Sequence, residues 1–232
     1  MFSTNQIIVP LDVPDKKAAV ALLDELPQVN FWKVGLEIFV ALGPEIFSLL
    51  KNRKKRIFLD LKFHDIPNTI AGACKAASNY GVDLITIHAA AGQKAMESAT
   101  KAVANSSSTT KILAVTLLTS LNSKELKQDL KISIELEKYA LHMALLAKKI
   151  GIDGAVCSPH EVSQLRQKCG ENFILVCPGV RPSWSQSKDQ KRVMEPKQTL
   201  EAGADYLVIG RPITMDNNPI EAWNRIINDI EN

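Results

Sequence analysis

The chain has 232 residues, a formal net charge of +3, and 46% hydrophobic against 23% charged residues. This composition is typical of a soluble globular protein. No apolar run approaches the ~20 residues that cross a bilayer. The one dense basic run, at residues 51–56, is interpreted as a solvated helix end rather than a nucleic-acid patch. We therefore expect neither membrane nor nucleic-acid binding.

The N-terminus and the cysteines indicate a reducing compartment. Residues 1–13 have neither a basic leader nor a long apolar core, so they do not resemble a signal peptide. The four cysteines have no CxxC spacing and no histidine at metal-finger distance. Cys157 and Cys177 lie in apolar runs, where a thiol acts as a small core residue. We expect a cytoplasmic protein.

Short apolar runs recur along the chain at roughly even spacing, and most are rich in Val, Ile and Leu without polar alternation. This pattern is typical of strands covered on both faces. The predicted strands are residues 6–12, 31–36, 57–62, 84–89, 112–118, 154–158, 174–178 and 206–210. Segments with helical spacing lie between or after them, at residues 15–26, 44–50, 69–80, 93–103, 134–150, 160–169 and 219–230.

Strands that alternate with helices predict a parallel sheet. At this length we expect an α/β fold of the (β/α)8 TIM-barrel type, with the active site at the C-terminal ends of the strands. A doubly wound open sheet is the alternative, but no Gly-rich dinucleotide fingerprint follows the first strand. No linker or shift in composition divides the chain, so residues 1–232 are predicted to form one domain.

The predicted third strand carries two opposite charges on one face. Side chains alternate along a strand, so Leu59, Leu61 and Phe63 face one side, and Asp60 and Lys62 face the other. Charges that leave water need partners. A strand without a chemical role for this pair is expected to carry Val or Ile instead.

Lys33 lies in the otherwise apolar second strand, beside the third, so it can approach Asp60. Together with Lys62 and Asp65 these residues are expected to form a network in which each ion has an opposite partner. A purely structural salt-bridge cluster is the alternative. Because apolar packing often stabilises a core as well as buried ions do, we interpret the network as catalytic.

Two glycine–arginine turns follow the last two predicted strands. Gly179 and Arg181 follow the seventh strand, and Gly210 and Arg211 follow the eighth, where such barrels commonly bind phosphate. Glycine N–H groups approach an anion closely, and arginine grips it with two hydrogen bonds. Ordinary turns with solvated arginines are the alternative, but the occurrence of two such turns favours a phosphate site.

A long polar segment, residues 182–192, lies after the first of those turns and suits a mobile lid. In that case Gln190 reaches a phosphate oxygen when the lid closes. A surface loop without this role fits the composition equally well.

The run from Ile57 to Thr69 closely resembles the signature of the orotidine 5′-phosphate decarboxylase family, with the spacing Asp60-x-Lys62-x-x-Asp65-Ile66-Pro67-x-Thr69. The similarity extends over nearly the whole chain. Further matching motifs are Leu11-Asp12, Lys33-Val34-Gly35, Ile87-His88-Ala89, Val115-Thr116-x-Leu118-Thr119-Ser120, Pro178-Gly179-Val180-Arg181 and Ile209-Gly210-Arg211.

The resemblance implies decarboxylation of orotidine 5′-monophosphate to uridine 5′-monophosphate, the final step of de novo pyrimidine biosynthesis, without a cofactor or metal. Lys62 would donate a proton to C6 of the pyrimidine. Asp60 would lie against the departing carboxylate, and Lys33 and Asp65 would complete the tetrad.

The resemblance also implies a set of binding residues. Asp12 and Lys33 would bond to ribose hydroxyls, and Thr119 would bond to the pyrimidine edge. The residues implied at the phosphate are Arg181, Gln190, Gly210 and Arg211. In this family Asp65, Ile66 and Thr69 reach the neighbouring subunit's site, so a homodimer is expected.

Two other functions remain open from the residues. Related barrels use a similar Asp-x-Lys-x-x-Asp strand for magnesium-dependent chemistry on sugar phosphates, but they need an additional carboxylate, and Glu37 is the only near candidate. A non-catalytic phosphate-binding barrel is the other alternative. Binding alone does not require such a density of charge.

Overall fold

The computed structural model describes residues 2–106, 108–185 and 194–231. Over these residues the chain forms a closed barrel of parallel strands in sequence order, in which β8 pairs with β1. The strands are β1 (Ile7–Pro10), β2 (Phe31–Val34), β3 (Arg56–Phe63), β4 (Leu84–His88), β5 (Lys111–Val115), β6 (Gly154–Val156), β7 (Ile174–Cys177) and β8 (Tyr206–Val208). The predicted (β/α)8 barrel is confirmed.

Helices follow the strands around the barrel. They are α1 (Lys16–Glu25), α2 (Leu36–Leu42), α3 (Glu45–Asn52), α4 (Pro67–Asn79), α5 (Gln93–Ala104), α6 (Ser123–Gln128), α7 (Leu136–Ile150), α8 (Val162–Cys169), α9 (Pro196–Glu201), α10 (Arg211–Thr214) and α11 (Pro219–Glu231). Within the described part of the chain, no helix combines the length and apolarity needed to cross a membrane.

The sequence pattern located every strand and the longer helices, but it missed α2, α6, α9 and α10. These four helices have four to seven residues, which is too short for a 3.6-residue period to repeat clearly. Several strands also end earlier than predicted. The fifth was expected to continue to residue 118, but β5 ends at Val115.

The barrel interior is filled by an apolar layer of inward-facing side chains. Its buried members are Ile8, Phe31, Phe58, Leu84, Leu113, Val115, Val156, Val176 and Val208. Because strand side chains alternate, the position two residues further along faces inward as well. At that position β2 carries Lys33, β3 carries Asp60 and β4 carries Thr86. The apolar layer therefore gives way to polar groups at the C-terminal mouth.

The opposite faces of the strands pack against the helices. Leu59 is buried in this outer core, and Leu61 and Phe63 pack against it from partly buried positions. The predicted division of β3 into an apolar face and a charged face is therefore confirmed.

Gly154 of β6 lies against the backbone of β7. A Cβ atom at this position would stand 2.2 Å from the carbonyl oxygen of Ile174. Two paired strands cannot separate without disturbing the barrel, so we expect Gly154→Ala to lower the free energy of unfolding by about 1–3 kcal/mol.

Gly72→Ala is the matched control for this prediction, because Gly72 lies on the exposed face of α4 with no atom within 4 Å of the added Cβ. Alanine is the better helix former, so this variant should gain about 0.5–1 kcal/mol. Urea unfolding of the wild type and both variants measures the difference. A Gly154→Ala variant as stable as the wild type would contradict the predicted clash.

Candidate active site

The regular pairing of β3 with β4 is interrupted at the charged residues. Leu59 pairs with Ile85 of β4, and the next pairing joins Phe63 to Ile87. Residues 60–62 therefore stand opposite a single residue, Thr86. Within this bulge Lys62 has a φ of 51°, in the left-handed region that costs a residue other than glycine about 1–3 kcal/mol. Such strain persists only where surrounding contacts hold it.

Contacts among Lys62, Asp60 and Thr86 hold the bulge. The Lys62 ammonium lies 2.9 Å from Oδ1 and 2.8 Å from Oδ2 of Asp60. The Lys62 backbone N–H donates to the Thr86 hydroxyl oxygen at 2.8 Å, and that hydroxyl donates to Oδ1 of Asp60 at 3.0 Å. The lysine is thus tied to one carboxylate through both its backbone and its side chain.

Lys33 of β2 extends this charge network to Asp12, which follows β1. Its ammonium lies 3.0 Å from Oδ1 of Asp12 and 3.8 Å from Oδ2 of Asp60. The side chains of Lys33 and Asp60 are only 13% and 10% exposed, whereas that of Lys62 is 30% exposed. The two lysines and two aspartates balance in charge, and the Lys62 ammonium is the more accessible of the two cations.

Gly35 makes the Lys33–Asp12 contact possible. It precedes α2, and a Cβ atom there would lie 2.8 Å from both the Lys33 ammonium nitrogen and Oδ1 of Asp12. A larger residue would occupy the space where these two side chains meet.

His88 ends β4 and stacks near His64, with ring centroids 5.2 Å apart. Burial lowers the pKa of His88 below its usual value of 6.5, and the charges of His64 and Lys62 lower that pKa further, against an opposite effect of Asp60. The imidazole is therefore neutral near pH 7 and adds no positive charge beside Lys62.

A cleft of about 430 Å³ opens at the mouth of the barrel. The residues predicted for phosphate and ribose that line it are Asp12, Lys33, Gly179, Arg181, Gly210 and Arg211. Arg181 is buried, and its guanidinium donates to the carbonyl oxygen of Val180 at 2.9 Å. Arg211 begins the short helix α10 directly after Gly210, which is the usual arrangement of a phosphate site in this fold.

Gly210 also brings the turn after β8 close to β1. A Cβ atom at Gly210 would lie 2.7 Å from Cγ of Pro10. The absence of a side chain lets the turn lie against the barrel wall, and its backbone borders the cleft.

Other predicted site residues lie away from this cleft. Asp65 is exposed, and its carboxylate accepts a hydrogen bond from the Ile66 backbone N–H at 2.6 Å. Ile66 is 66% exposed, and Thr69 is exposed in the first turn of α4. At the barrel mouth, Lys33 and Lys62 each form an ion pair with Asp60. Among the described residues, Asp65 belongs to none of the ion pairs.

Two further predicted site residues are Thr119 and Gln190. Thr119 lies half-buried in the turn that follows β5, outside the set of residues that line the cleft. Gln190 lies outside the described residues.

The charged residues described at the barrel mouth do not form a metal site. Across residues 2–106, 108–185 and 194–231, no group of three or more His, Cys, Asp or Glu side chains has the geometry to hold a metal ion. Glu37, the candidate extra carboxylate, is exposed in the first turn of α2.

Sequence reasoning missed Thr86 and the role of Gly35. A signal for Thr86 was present, because it is a polar residue within the apolar run of β4 and lies two positions after the inward-facing Leu84. Its position opposite the bulge depends on the register between β3 and β4, which no local pattern gives.

Fold and site together define the class as a TIM barrel whose mouth has an arginine- and glycine-lined cleft beside a Lys–Asp network. The family model described as "Orotidine 5'-phosphate decarboxylase / HUMPS family" matches residues 5–226. The chain belongs to this family, as its motifs predicted.

Similar proteins agree with the assignment. The orotidine 5′-phosphate decarboxylase of Gloeothece citriformis is 62% identical over 97% of both chains. That of Nostoc sp. is 58% identical over 98% of both chains. The crystal structure of orotidine 5′-phosphate decarboxylase from Lactobacillus acidophilus aligns with a TM-score of 0.86 and 34% identity, covering 98% of this chain and 100% of that one.

We expect Gly35→Ala to separate Lys33 from Asp12 without unfolding the barrel. Gly35 has a φ of −92°, which alanine adopts readily, and the added Cβ meets only the mobile ends of two side chains. The free energy of unfolding should therefore change by less than about 1 kcal/mol. Crystal structures of Gly35→Ala and of the control Gly72→Ala give the distance between the Lys33 ammonium and Asp12. A distance in Gly35→Ala equal to that in the control would contradict the expectation.

Proposed function

We propose that this protein is a carboxy-lyase that converts orotidine 5′-monophosphate to uridine 5′-monophosphate, the final step of de novo pyrimidine biosynthesis, without a cofactor. The observation that carries the proposal is the Lys62 ammonium, held within 2.9 Å of both Asp60 oxygens at the barrel mouth. Family membership supplies the substrate.

The reaction needs a fixed positive charge. When CO2 leaves, the electron pair of the broken bond remains on C6 in the plane of the ring, where the ring carbonyls cannot delocalise it. The Lys62 ammonium stabilises this carbanion and transfers a proton to C6. The neutral amine then regains a proton from water, so the enzyme returns to its starting state.

Lys62 alone does not supply the whole rate enhancement. Two charges 4 Å apart interact by about 4 kcal/mol at an effective dielectric constant of about 20, whereas enzymes lower barriers by roughly 8–23 kcal/mol. Binding energy from the phosphate, together with charges already in place, provides the remainder. Asp60 fixes the ammonium and lies against the substrate carboxylate.

The remaining binding roles are those that the family resemblance implies. Asp12 and Lys33 bond to ribose hydroxyls, and Thr119 reads the pyrimidine edge. The phosphate is bound by Arg181, Gln190, Gly210 and Arg211. Asp12 and Lys33 line the same cleft as Arg181 and Arg211, which supports the binding of ribose and phosphate side by side.

A homodimer completes each site in this proposal. Asp65, Ile66 and Thr69 reach the site of the neighbouring subunit, where Asp65 supplies the second carboxylate of the tetrad. Their exposure in the single chain supports this role, because an exposed isoleucine beside an active site is suited to a partner surface. Residues 1–232 act as one domain, and the enzyme works in the cytoplasm.

We expect Lys62→Ala to lower turnover of orotidine 5′-monophosphate at least about 10⁴-fold, because proton transfer and carbanion stabilisation are both lost. Uridine 5′-monophosphate should still bind, because its phosphate and ribose contacts lie elsewhere in the cleft. Ultraviolet absorbance follows turnover, and calorimetry follows binding.

Lys111→Ala is the matched control for that experiment. Lys111 pairs with Asp153 at 2.9 Å at the start of β5, the opposite end of the barrel, so its loss should leave turnover unchanged. The wild type is also assayed in EDTA. Near-normal turnover by Lys62→Ala would reject the assigned role, and inactivation by EDTA would favour the magnesium-dependent alternative.

The shared site predicts complementation between two inactive variants. In a co-refolded mixture of Lys62→Ala and Asp65→Asn, half of the dimers are mixed, and one site in each has both residues intact. About a quarter of wild-type activity should therefore return. Lys62→Ala mixed with the Lys62→Ala/Asp65→Asn double variant has no intact site and serves as the control. A mixture whose activity is only the mean of the activities of the two separate variants would contradict a shared site.

A further inference from the structure

We propose that Thr86 is a positioning residue that fixes Lys62 and Asp60 for catalysis. The inference rests on the proposed function of Lys62 as proton donor and adds a residue that acts through it. Thr86 lies in the middle of β4 and is completely buried.

The register of the barrel gives Thr86 its place. β3 and β4 are in regular pairing up to Leu59 and Ile85, and pairing resumes at Phe63 and Ile87. Thr86 is the one β4 residue between these two pairs, and it faces the bulge that contains Asp60 and Lys62. In a regular strand the Lys62 N–H would donate to a backbone carbonyl of the neighbouring strand. Here it donates to the side-chain oxygen of Thr86.

The hydrogen bonds through the Thr86 hydroxyl have a fixed direction. A backbone N–H can only donate, so the Lys62 N–H places the hydroxyl oxygen in the accepting role. The single hydroxyl proton is then directed to Oδ1 of Asp60, 3.0 Å away. Because Asp60 binds the Lys62 ammonium in turn, the hydroxyl closes a ring from the Lys62 backbone to the Lys62 side chain.

Loss of the hydroxyl would open this ring at two points. The Lys62 N–H and Oδ1 of Asp60 would each lose a partner at a position that is closed to bulk water, since Thr86 has no exposed surface. The left-handed backbone of Lys62 would lose one of the contacts that hold it. The ammonium would then shift relative to C6, and a displacement of about 1 Å can lower a rate about 100-fold.

Substrate binding should change far less than turnover. Thr86 is not among the residues that line the cleft, whereas Asp12, Lys33, Arg181 and Arg211 are. Lys33 is linked to the hydroxyl through its 3.8 Å ion pair with Asp60, one residue removed from Thr86. We therefore expect the hydroxyl to affect the chemical step more than the binding of phosphate and ribose.

The test compares three substitutions at this site. Thr86→Val removes the hydroxyl and keeps the shape, and Thr86→Ala removes it without placing a methyl group against Asp60. Thr86→Ser keeps the hydroxyl. We expect Val and Ala to lower kcat about 10- to 100-fold while the Kd of uridine 5′-monophosphate stays within the wild-type range, and we expect Ser to restore most of kcat.

Thr110→Val is the matched control. Thr110 is a buried threonine at the opposite end of the barrel, and its hydroxyl donates to the carbonyl oxygen of Val82 at 2.6 Å. This variant should lose stability but keep kcat. At least one of Thr86→Val and Thr86→Ala is expected to fold. If a folded variant without the hydroxyl has wild-type kcat, the inference is wrong. It is also wrong if Thr86→Ser loses as much activity as the variants without the hydroxyl.

Crystal structures of the wild type and the hydroxyl-free variant separate this inference from the proposed function. We expect the variant to show the Lys62 ammonium displaced from Asp60 or the Lys62 backbone moved away from its φ of 51°. A wild type that does not decarboxylate orotidine 5′-monophosphate would reject the proposed function. An unchanged Lys62–Asp60 geometry in the variant would reject the positioning role, whatever the activity.

Discussion

The contact between the Lys62 ammonium and the Asp60 carboxylate is the interaction on which the site depends. A partly buried ammonium is stabilised by an opposite charge within hydrogen-bonding distance, and Asp60 provides two oxygens at 2.8–2.9 Å. Asp60 in turn accepts from Thr86 and lies 3.8 Å from Lys33. Asp60 and Lys62 lie within the bulge of β3, where the left-handed Lys62 backbone bonds to the Thr86 hydroxyl.

In the proposed function, the barrel separates phosphate binding from chemistry around its rim. Turns after β7 and β8 supply the arginines and glycines that border the cleft, and β2, β3 and β4 supply the charges and the buried hydroxyl. Binding energy gained at one side of the rim can therefore hold the reacting carbon against charges fixed at the other side. Such a division suits a reaction whose anion receives no help from the substrate's own carbonyl groups.

Much of the fold and part of the site could be predicted from the sequence. Eight apolar runs predicted the barrel, and side-chain alternation placed Asp60 and Lys62 together on one face of the third strand. The order of the strands brought Lys33 near Asp60, as the structure shows. The left-handed backbone of Lys62 and its bond to Thr86 depend on the register of two strands that are distant in sequence. Asp65 has the motif spacing but, among the described residues, lies outside the ion pairs of the single chain. The proposed function places its partners in a second subunit, which no pattern within one sequence locates.

The bulge also has a mechanical consequence. Leu59 and Phe63 are anchored to β4 on either side of it, and both side chains contact the outer core. Residues 60–62 therefore form a short arch supported at both ends. Leu61, in the middle of the arch, packs against the outer core as well, so the arch is supported along its length. One strand thus serves both as barrel wall and as a rigid mount for the Lys62–Asp60 pair.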